Sequence, residues 1–274
     1  MPPSESERAP EAVGSASAAR GSSARRILLK LSGEVLGGRD GSGLDPVGLE
    51  TVCAQIARAH GAGAQVAVVM GGGNLLRGAH AGHLFERTTG DAIGMLGTLI
   101  NALAVADGLR QRGLATEVLS AFPAPRMAEL YRPECGRTAL TAGRILLLAG
   151  GTGNGYFTTD SAAALRALEL GCDLLVKGTK VDGVYTADPV RDTRARRYRR
   201  ISLAAAVAQR LGVMDLTAAT LCMENHLPVV VLKATEAGTI ARFLQGETLG
   251  TLMDPDTDAP VEFAGAPPAP GGEG

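Results

Sequence analysis

Glycine clusters and isolated cations recur in this chain where short apolar runs end. RILLKLSG (26–33) passes through Ile27, Leu28 and Leu29 into Lys30, Ser32 and Gly33, and VAVVMGGGN (66–74) ends in three glycines. RILLLAGGTGN (144–154) ends in another glycine-rich turn, and DLLVKGTKVDGV (173–184) carries Lys177 and Thr179. Glycine lets backbone N–H groups approach a ligand and curve into an anion-binding concavity, to which lysine, arginine and threonine add charge and donors. One such cluster is most often a turn. Several of them at the ends of apolar runs point to a long, phosphate-rich ligand.

The familiar phosphate motifs are missing. No stretch fits G-x-x-x-x-G-K-[ST], none fits G-x-G-x-x-G opening a helix after a strand, and H-R-D and D-F-G are absent. The chain therefore reads neither as a P-loop kinase, nor as a Rossmann dehydrogenase, nor as a protein kinase.

The elements that must position these residues are strands and helices in alternation. The apolar runs are continuous, as in strands buried on both faces, and PVVVLK (228–233) adds another. Helical patterns such as LETVCAQIARAH (49–60) and SAAALRALELG (161–171) lie between them. The expectation is an α/β fold with a mostly parallel sheet covered on both faces. In such sheets ligands bind outside the carboxyl ends of the strands, where these clusters fall.

Both ends of the chain differ from its middle. Residues 1–24 are Ser, Ala, Pro and Glu with hardly a large apolar side chain, and 254–274 (DPDTDAPVEFAGAPPAPGGEG) repeat the message with Pro and Gly. Such stretches bury too little to offset their ordering entropy. Disordered tails are expected over 1–24 and 254–274, around a single domain at 25–253 with no internal linker or repeat.

With 45% hydrophobic and 20% charged residues, 274 residues can bury a real core. Lys plus Arg is 27 against Asp plus Glu 28, and the net charge of -1 offers no general field to nucleic acid or an anionic membrane. The apolar stretches read as broken by Gly or Lys, short of the ~18–20 residues of a membrane-spanning helix. No basic start precedes an apolar stretch at the N-terminus, so no signal peptide is expected. Cys53, Cys135, Cys172 and Cys222 have no Cys-x-x-Cys pair and no nearby His, so neither a zinc site nor a disulfide framework is visible. A soluble cytoplasmic protein is the expectation.

Five longer stretches stand in order: KLSGE (30–34), GGGNLLRG (71–78), GDAIGMLGTLIN (90–101), GTGNGYFTTDSAA (151–163) and KGTKVDGVYTADP (177–189), followed by VMDLTAATL (213–221). Together they closely resemble the bacterial UMP kinases (uridylate kinases) of the amino-acid kinase family, over roughly residues 26–253. The resemblance implies a three-layer α/β sandwich and transfer of the γ-phosphoryl group of MgATP to UMP, giving UDP in pyrimidine nucleotide biosynthesis. It also implies a homohexamer, activation by GTP and inhibition by UTP. The Mg2+ is carried by ATP, with no direct protein ligand.

Phosphoryl transfer asks a protein chiefly to position two substrates and neutralise charge on the moving group. By resemblance the catalytic residues are Lys30, a cation for that group, and Asp160, an organiser of Lys30 and of the magnesium nucleotide. From the residue alone Asp160 reads equally as a helix N-cap. A general base is less necessary, because the acceptor is already a phosphate oxyanion. Resemblance gives ATP Lys30, Leu31, Ser32, Gly33, Gly73, Arg77, Thr179, Tyr185 against adenine, and Asp188. It gives UMP Gly72, Asp91 and the run Thr152, Gly153, Asn154, Gly155, Tyr156, Phe157, Thr158 and Thr159. Lys177 is a further candidate for the phosphates, whereas Asp215 is read as structural at a helix start.

Two features depart from the pattern. Gly155 stands where relatives often carry Pro, and RDTRARRYRR (191–200) holds six Arg against one Asp, a local +5. That run reads as a solvated connection, with a nucleic-acid or effector patch as the alternative. Two other functions compete with this one. A carboxylate kinase acting on aspartate, glutamate or carbamate is opposed by GTGNGYFTTD and Asp91. A non-catalytic nucleotide-binding protein is opposed by the presence of both Lys30 and Asp160.

Overall fold

The computed structural model describes residues 26–76 and 84–265. Arg77 and the expected tail at 1–24 lie outside the described residues. Ten strands form one sheet: β1 (Arg26–Leu31), β2 (Gln65–Met70), β3 (Thr116–Ser120), β4 (Glu129–Leu130), β5 (Ile145–Ala149), β6 (Leu174–Thr179), β7 (Tyr198–Ser202), β8 (Val229–Lys233), β9 (Thr251–Asp254) and β10 (Glu262–Phe263). Their order is β10-β7-β9-β8-β6-β1-β2-β5-β3-β4. Pairing is parallel except for β8 with β9 and β10 with β7. The order turns about β1, with β2 on one side and β6 on the other, so the loops leaving these strands open a crevice at the carboxyl edge.

Seven helices cover the sheet among the described residues: α1 (Pro46–Gly61), α2 (Arg87–Arg110), α3 (Pro133–Thr141), α4 (Thr159–Leu170), α5 (Leu203–Ala208), α6 (Leu216–Glu224) and α7 (Thr239–Leu244). Strand side chains alternate between two cores. Ile27, Leu29 and Leu31 pack with Val52 and Ile56 of α1 and Leu99 and Val105 of α2. Leu28 and Leu175 pack on the other face with Ala163, Ala164 and Ala167 of α4 and Cys222 of α6. The result is the three-layer sandwich. The same two-residue period puts Lys30 on the face of Leu28 and Lys177 on the face of Leu175, so both lysines point to the α4 layer.

Two expectations change. Helix α2 is 24 residues long and apolar enough, by length and composition, to span a membrane, although half of its most apolar window is buried in this fold. Its glycines do not break it, because burial of the face carrying Leu99, Ala102, Val105 and Leu109 outweighs their low helix propensity. The second change is at the C-terminal end. Asp254 is only 1% exposed and pairs with Arg200, and β10 adds an antiparallel strand to β7. Phe263 stacks on Tyr198 at 4.8 Å between ring centroids and lies under the Arg196 guanidinium. The expected tail therefore does not begin at 254, since a single aromatic ring and strand hydrogen bonds hold residues that composition alone assigns to disorder.

Candidate active site

Helix α4 begins at the glycine-rich turn after β5. Thr158 is its N-cap, with its hydroxyl accepting from the Asp160 and Ser161 N–H groups, and Gly171 closes it in the left-handed conformation. Asp160 thus stands in the first turn, facing the ends of β1 and β6. Its Oδ1 is 2.9 Å from Lys30 Nζ and its Oδ2 2.5 Å from Lys177 Nζ. The Lys177 contact is a hydrogen-bonded ion pair, whereas Lys30 meets the carboxylate off the hydrogen-bonding direction. Burial lowers the Lys177 pKa; the attraction of Asp160 works against this, and the repulsion of Lys30 adds to it.

The glycine turn after β2 is locked from behind. Asn74 and Asn101 exchange side-chain hydrogen bonds of 3.0 and 2.7 Å, Asn101 Nδ2 also donates to the Gly71 carbonyl, and Asn74 Nδ2 donates to the Gly43 carbonyl. Both amides are buried. The turns after β1 and β2 touch: a Cβ on Gly33 would sit 2.2 Å from the Gly71 carbonyl oxygen, so position 33 admits only glycine. Both asparagines fall inside the sequence motifs, but only the packing of α2 behind this turn gives them a role.

Across from Gly72 and Gly73 lies a cleft of ≈ 460 Å³, also lined by Phe85, Arg87, Asp91, Thr152, Asn154, Phe157, Thr158 and Thr159. Its far wall is the turn at 150–157, where Gly150, Gly151 and Gly153 all have φ between 60 and 84°. Arg166 of α4, buried and stacked on Tyr131, donates to the Gly151 carbonyl, and Thr98 of α2 accepts the Gly150 N–H. Tyr156 also has positive φ, 69°, and its N–H donates to Asp91 Oδ2 at 2.7 Å. That bond is the main cause of a lowered Asp91 pKa; partial burial opposes it, and the Arg87 side chain, 2.9–3.0 Å away, reinforces it. Of the residues expected to face an acceptor, Gly72, Asp91, Thr152, Asn154, Phe157, Thr158 and Thr159 line this one cleft. Gly153, Gly155 and Tyr156 shape its rim.

Asp215 joins the site from behind. As N-cap of α6 it accepts from the Ala218 N–H, and it also accepts from the Thr158 and Ser161 hydroxyls of α4. Burial raises its pKa, but hydrogen bonds, first that of Thr158, outweigh it and leave the carboxyl lowered overall. It ties two helix starts together, a structural role as read from sequence, though in direct contact with an expected acceptor residue.

The residues expected to face a donor are less concentrated. Leu31 is buried with its carbonyl accepting the Gly71 N–H, Ser32 caps the 3-10 turn Gly33–Val35, and Thr179 closes its own turn onto the Val181 carbonyl. Lys180 reaches back to Glu34 at 2.7 Å, joining the turns after β6 and β1. Further along, the Tyr185 hydroxyl donates to Asp182, and Asp188 holds its own exposed turn through the Val190 N–H. The six arginines at 191–200 are all engaged. Arg191 pairs with Asp188, Arg194 with Asp192, Arg197 with Asp182, Arg199 with Glu262 and Arg200 with Asp254, while Arg196 lies on Phe263. Much of the local positive charge is thereby met by acids drawn from several segments, while Arg191 and Arg194 remain almost fully exposed.

A three-layer α/β/α sandwich with lysines, a shared aspartate and glycine turns at the carboxyl ends of β1, β2, β5 and β6 defines a phosphate-handling α/β protein. Residues 25–233 match the amino acid kinase family. The chain is 46% identical over 230 residues to the uridylate kinase of Dichelobacter nodosus (strain VCS1703A), covering 84% of this chain and 95% of that one. The uridylate kinase of Methylococcus capsulatus is also 46% identical, with 84% and 96% covered. The crystal structure of UMP kinase from Bacillus anthracis superposes with a TM-score of 0.85 at 33% identity, covering 88% of this chain and 99% of its own. The chain belongs to the amino acid kinase family.

Proposed function

We propose that this protein transfers the γ-phosphoryl group of MgATP to UMP, giving UDP and ADP. The observation that carries this reading is Asp160, held between Lys30 and Lys177 where the Gly71 to Gly73 turn meets the cleft of Asp91 and Thr158. The chain's similarity to uridylate kinases supplies the acceptor.

In this reading UMP occupies the cleft, its phosphate toward Gly72 and the start of α4, where the helix dipole favours an anion. Its sugar lies toward Asp91. ATP lies along the turns after β1 and β6, over Leu31, Ser32, Gly33, Gly73, Thr179, Tyr185 and Asp188. A UMP phosphate oxygen attacks the γ-phosphorus, a new O–P bond forms, and the bond from that phosphorus to the β–γ bridging oxygen breaks to release ADP. Lys30 turns from Asp160 to the moving group, and Lys177 remains to balance the carboxylate. No protein base is needed, since the attacking oxygen carries no proton.

Among the described residues no group of three or more His, Cys, Asp or Glu side chains could hold a metal ion. Mg2+ would arrive with the triphosphate and would supply positive charge to its phosphates, with Asp160 the carboxylate placed to orient that complex.

We also read the protein as a cytoplasmic homohexamer activated by GTP and inhibited by UTP. Four free cysteines suit a reducing compartment. Ala92, Leu96 and Ile100, four residues apart on α2, form an exposed apolar stripe, with Leu96 52% and Ile100 48% exposed. Such a stripe suits burial against another subunit.

ADP release measured with UMP, CMP, dUMP, aspartate and glutamate tests the activity. UMP is expected to be turned over most efficiently; preference for an amino acid, or no ADP release with any nucleotide, would overturn the reading.

A further inference from the structure

We infer that the C-terminal residues Glu262, Phe263 and Ala264 form a positioning element for the loop that carries Tyr185. They lie beyond the family match, which ends at 233. In space they complete a three-stranded antiparallel ribbon. Its middle strand is 196–200. On one side, Thr186 and Arg196 exchange contacts of 3.0 Å, the Tyr198 N–H donates to the Val184 carbonyl at 2.8 Å, and Tyr185 bridges to Arg197. On the other, Glu262 and Phe263 pair with Arg200 and Tyr198, and the Ala264 N–H donates to the Arg197 carbonyl at 2.9 Å.

Side chains continue the connection. The Phe263 ring lies between Tyr198 and Arg196, whose Cζ is 3.8 Å from the ring centroid. The neighbouring Arg197 guanidinium donates to the Asp182 carbonyl at 3.0 Å and stands 3.3 Å from its carboxylate. The other carboxylate oxygen accepts the Tyr185 hydroxyl at 2.7 Å. β9 pairs with this strand only from Arg200 to Ser202, so over 196–198 the flank opposite the Tyr185 loop is supplied by β10 and the Phe263 ring. Without Phe263, the 196–198 strand loses one flank and the Tyr185 loop loses the rigid edge on which it rests.

The effect on catalysis rests on the proposed kinase reading, in which Tyr185 lies against adenine. Phe263→Ala, and a chain ended after Pro260, should raise KM for ATP roughly five- to tenfold, the scale of one lost aromatic and cation–π contact. KM for UMP and kcat at saturating ATP should stay within about twofold. Phe263→Tyr, which keeps the ring, should restore the ATP value. Arg196→Met, which removes only the cation over the ring, supplies a second variant should Phe263→Ala fold poorly. Hydrogen exchange on the full-length protein is the independent readout: the Thr186 amide should lose protection while amides of β1 and β5 keep theirs. Equal rises in both KM values, an unchanged KM for ATP, or unchanged protection at Thr186 would each overturn the inference. A wild-type protein with no kinase activity would sink the activity reading alone, and the exchange experiment would still decide whether this segment holds the loop.

Discussion

Lys30 and Lys177 are register partners on neighbouring parallel strands, and their ammonium groups converge on the two oxygens of a single carboxylate, that of Asp160. Like charges so close are tolerated because the carboxylate stands between them. One negative charge cannot cancel two positive ones. The cluster therefore keeps a net charge of +1, and either lysine can leave for an incoming phosphate without stranding Asp160 unpaired.

Removing one cation tests this directly. Lys30→Met should lower kcat by at least ~100-fold while KM for UMP changes by less than about threefold, because the lost charge acts on the transition state rather than on the bound acceptor. Steady-state kinetics would show it, and near wild-type turnover would remove Lys30 from the chemistry.

Lys177 should set an alkaline limit on the rate. Burial, with repulsion from Lys30, brings its pKa below the ordinary 10.5 despite the attraction of Asp160. Between that lowered value and 10.5 the unfolded chain binds more protons than the folded one, so this group's contribution to stability rises with pH through that window. The ammonium that balances Asp160 is lost over the same window. The pH profile of kcat should therefore turn down below pH 10.5, and Lys177→Arg should move that limb upward. A limb unmoved by the substitution would assign the titration elsewhere.

Asp91 should distinguish ribose from deoxyribose. Its carboxylate already accepts from the Tyr156 N–H and Arg87, yet its oxygens retain lone pairs toward the cleft for a sugar hydroxyl. The wild-type protein should prefer UMP to dUMP, and Asp91→Ala should narrow that preference by weakening UMP, with ATP affinity barely changed. The measurement is kcat/KM for both acceptors in both proteins; an unchanged ratio refutes the assignment.

If the proposed homohexamer buries the α2 stripe, Leu96→Glu should dissociate it. A charge in the middle of the α2 stripe would have to be buried against a neighbour, whereas in a free subunit it stays in water. Light scattering after size exclusion should then report a smaller particle with the far-UV spectrum unchanged. An unaltered mass would place the subunit contacts on another face.

The layers were legible in the sequence because β1, β2, β5, β6 and β8 are nearly continuous apolar runs, and α1 and α4 repeat their apolar residues with helical period. β7, β9 and β10 were not, since their alternating or very short patterns acquire meaning only from neighbours far along the chain. The start of a tail at 254 does not hold for that reason, while 266–274 lie outside the described residues: Phe263 is one aromatic ring among Pro, Gly and Ala, and its partners Tyr198 and Arg196 are some 65 residues away. At the site, Lys30 and Asp160 could be singled out by motif. The equal standing of Lys177 needed the strand register, and the Asn74 and Asn101 pair needed the packing of α2 behind the turn after β2.

The contact between Gly33 and Gly71 bears on how this scaffold can be re-engineered. With a Cβ on Gly33 only 2.2 Å from the Gly71 oxygen and 2.5 Å from Asn74 Oδ1, the turns after β1 and β2 are cut to each other's outline. Asn101 then fixes that pair to α2. A loop transplanted from another protein at 30–34 alone would arrive without its matching surface. The unit of exchange is the trio of 30–34, 71–74 and position 101, moved together.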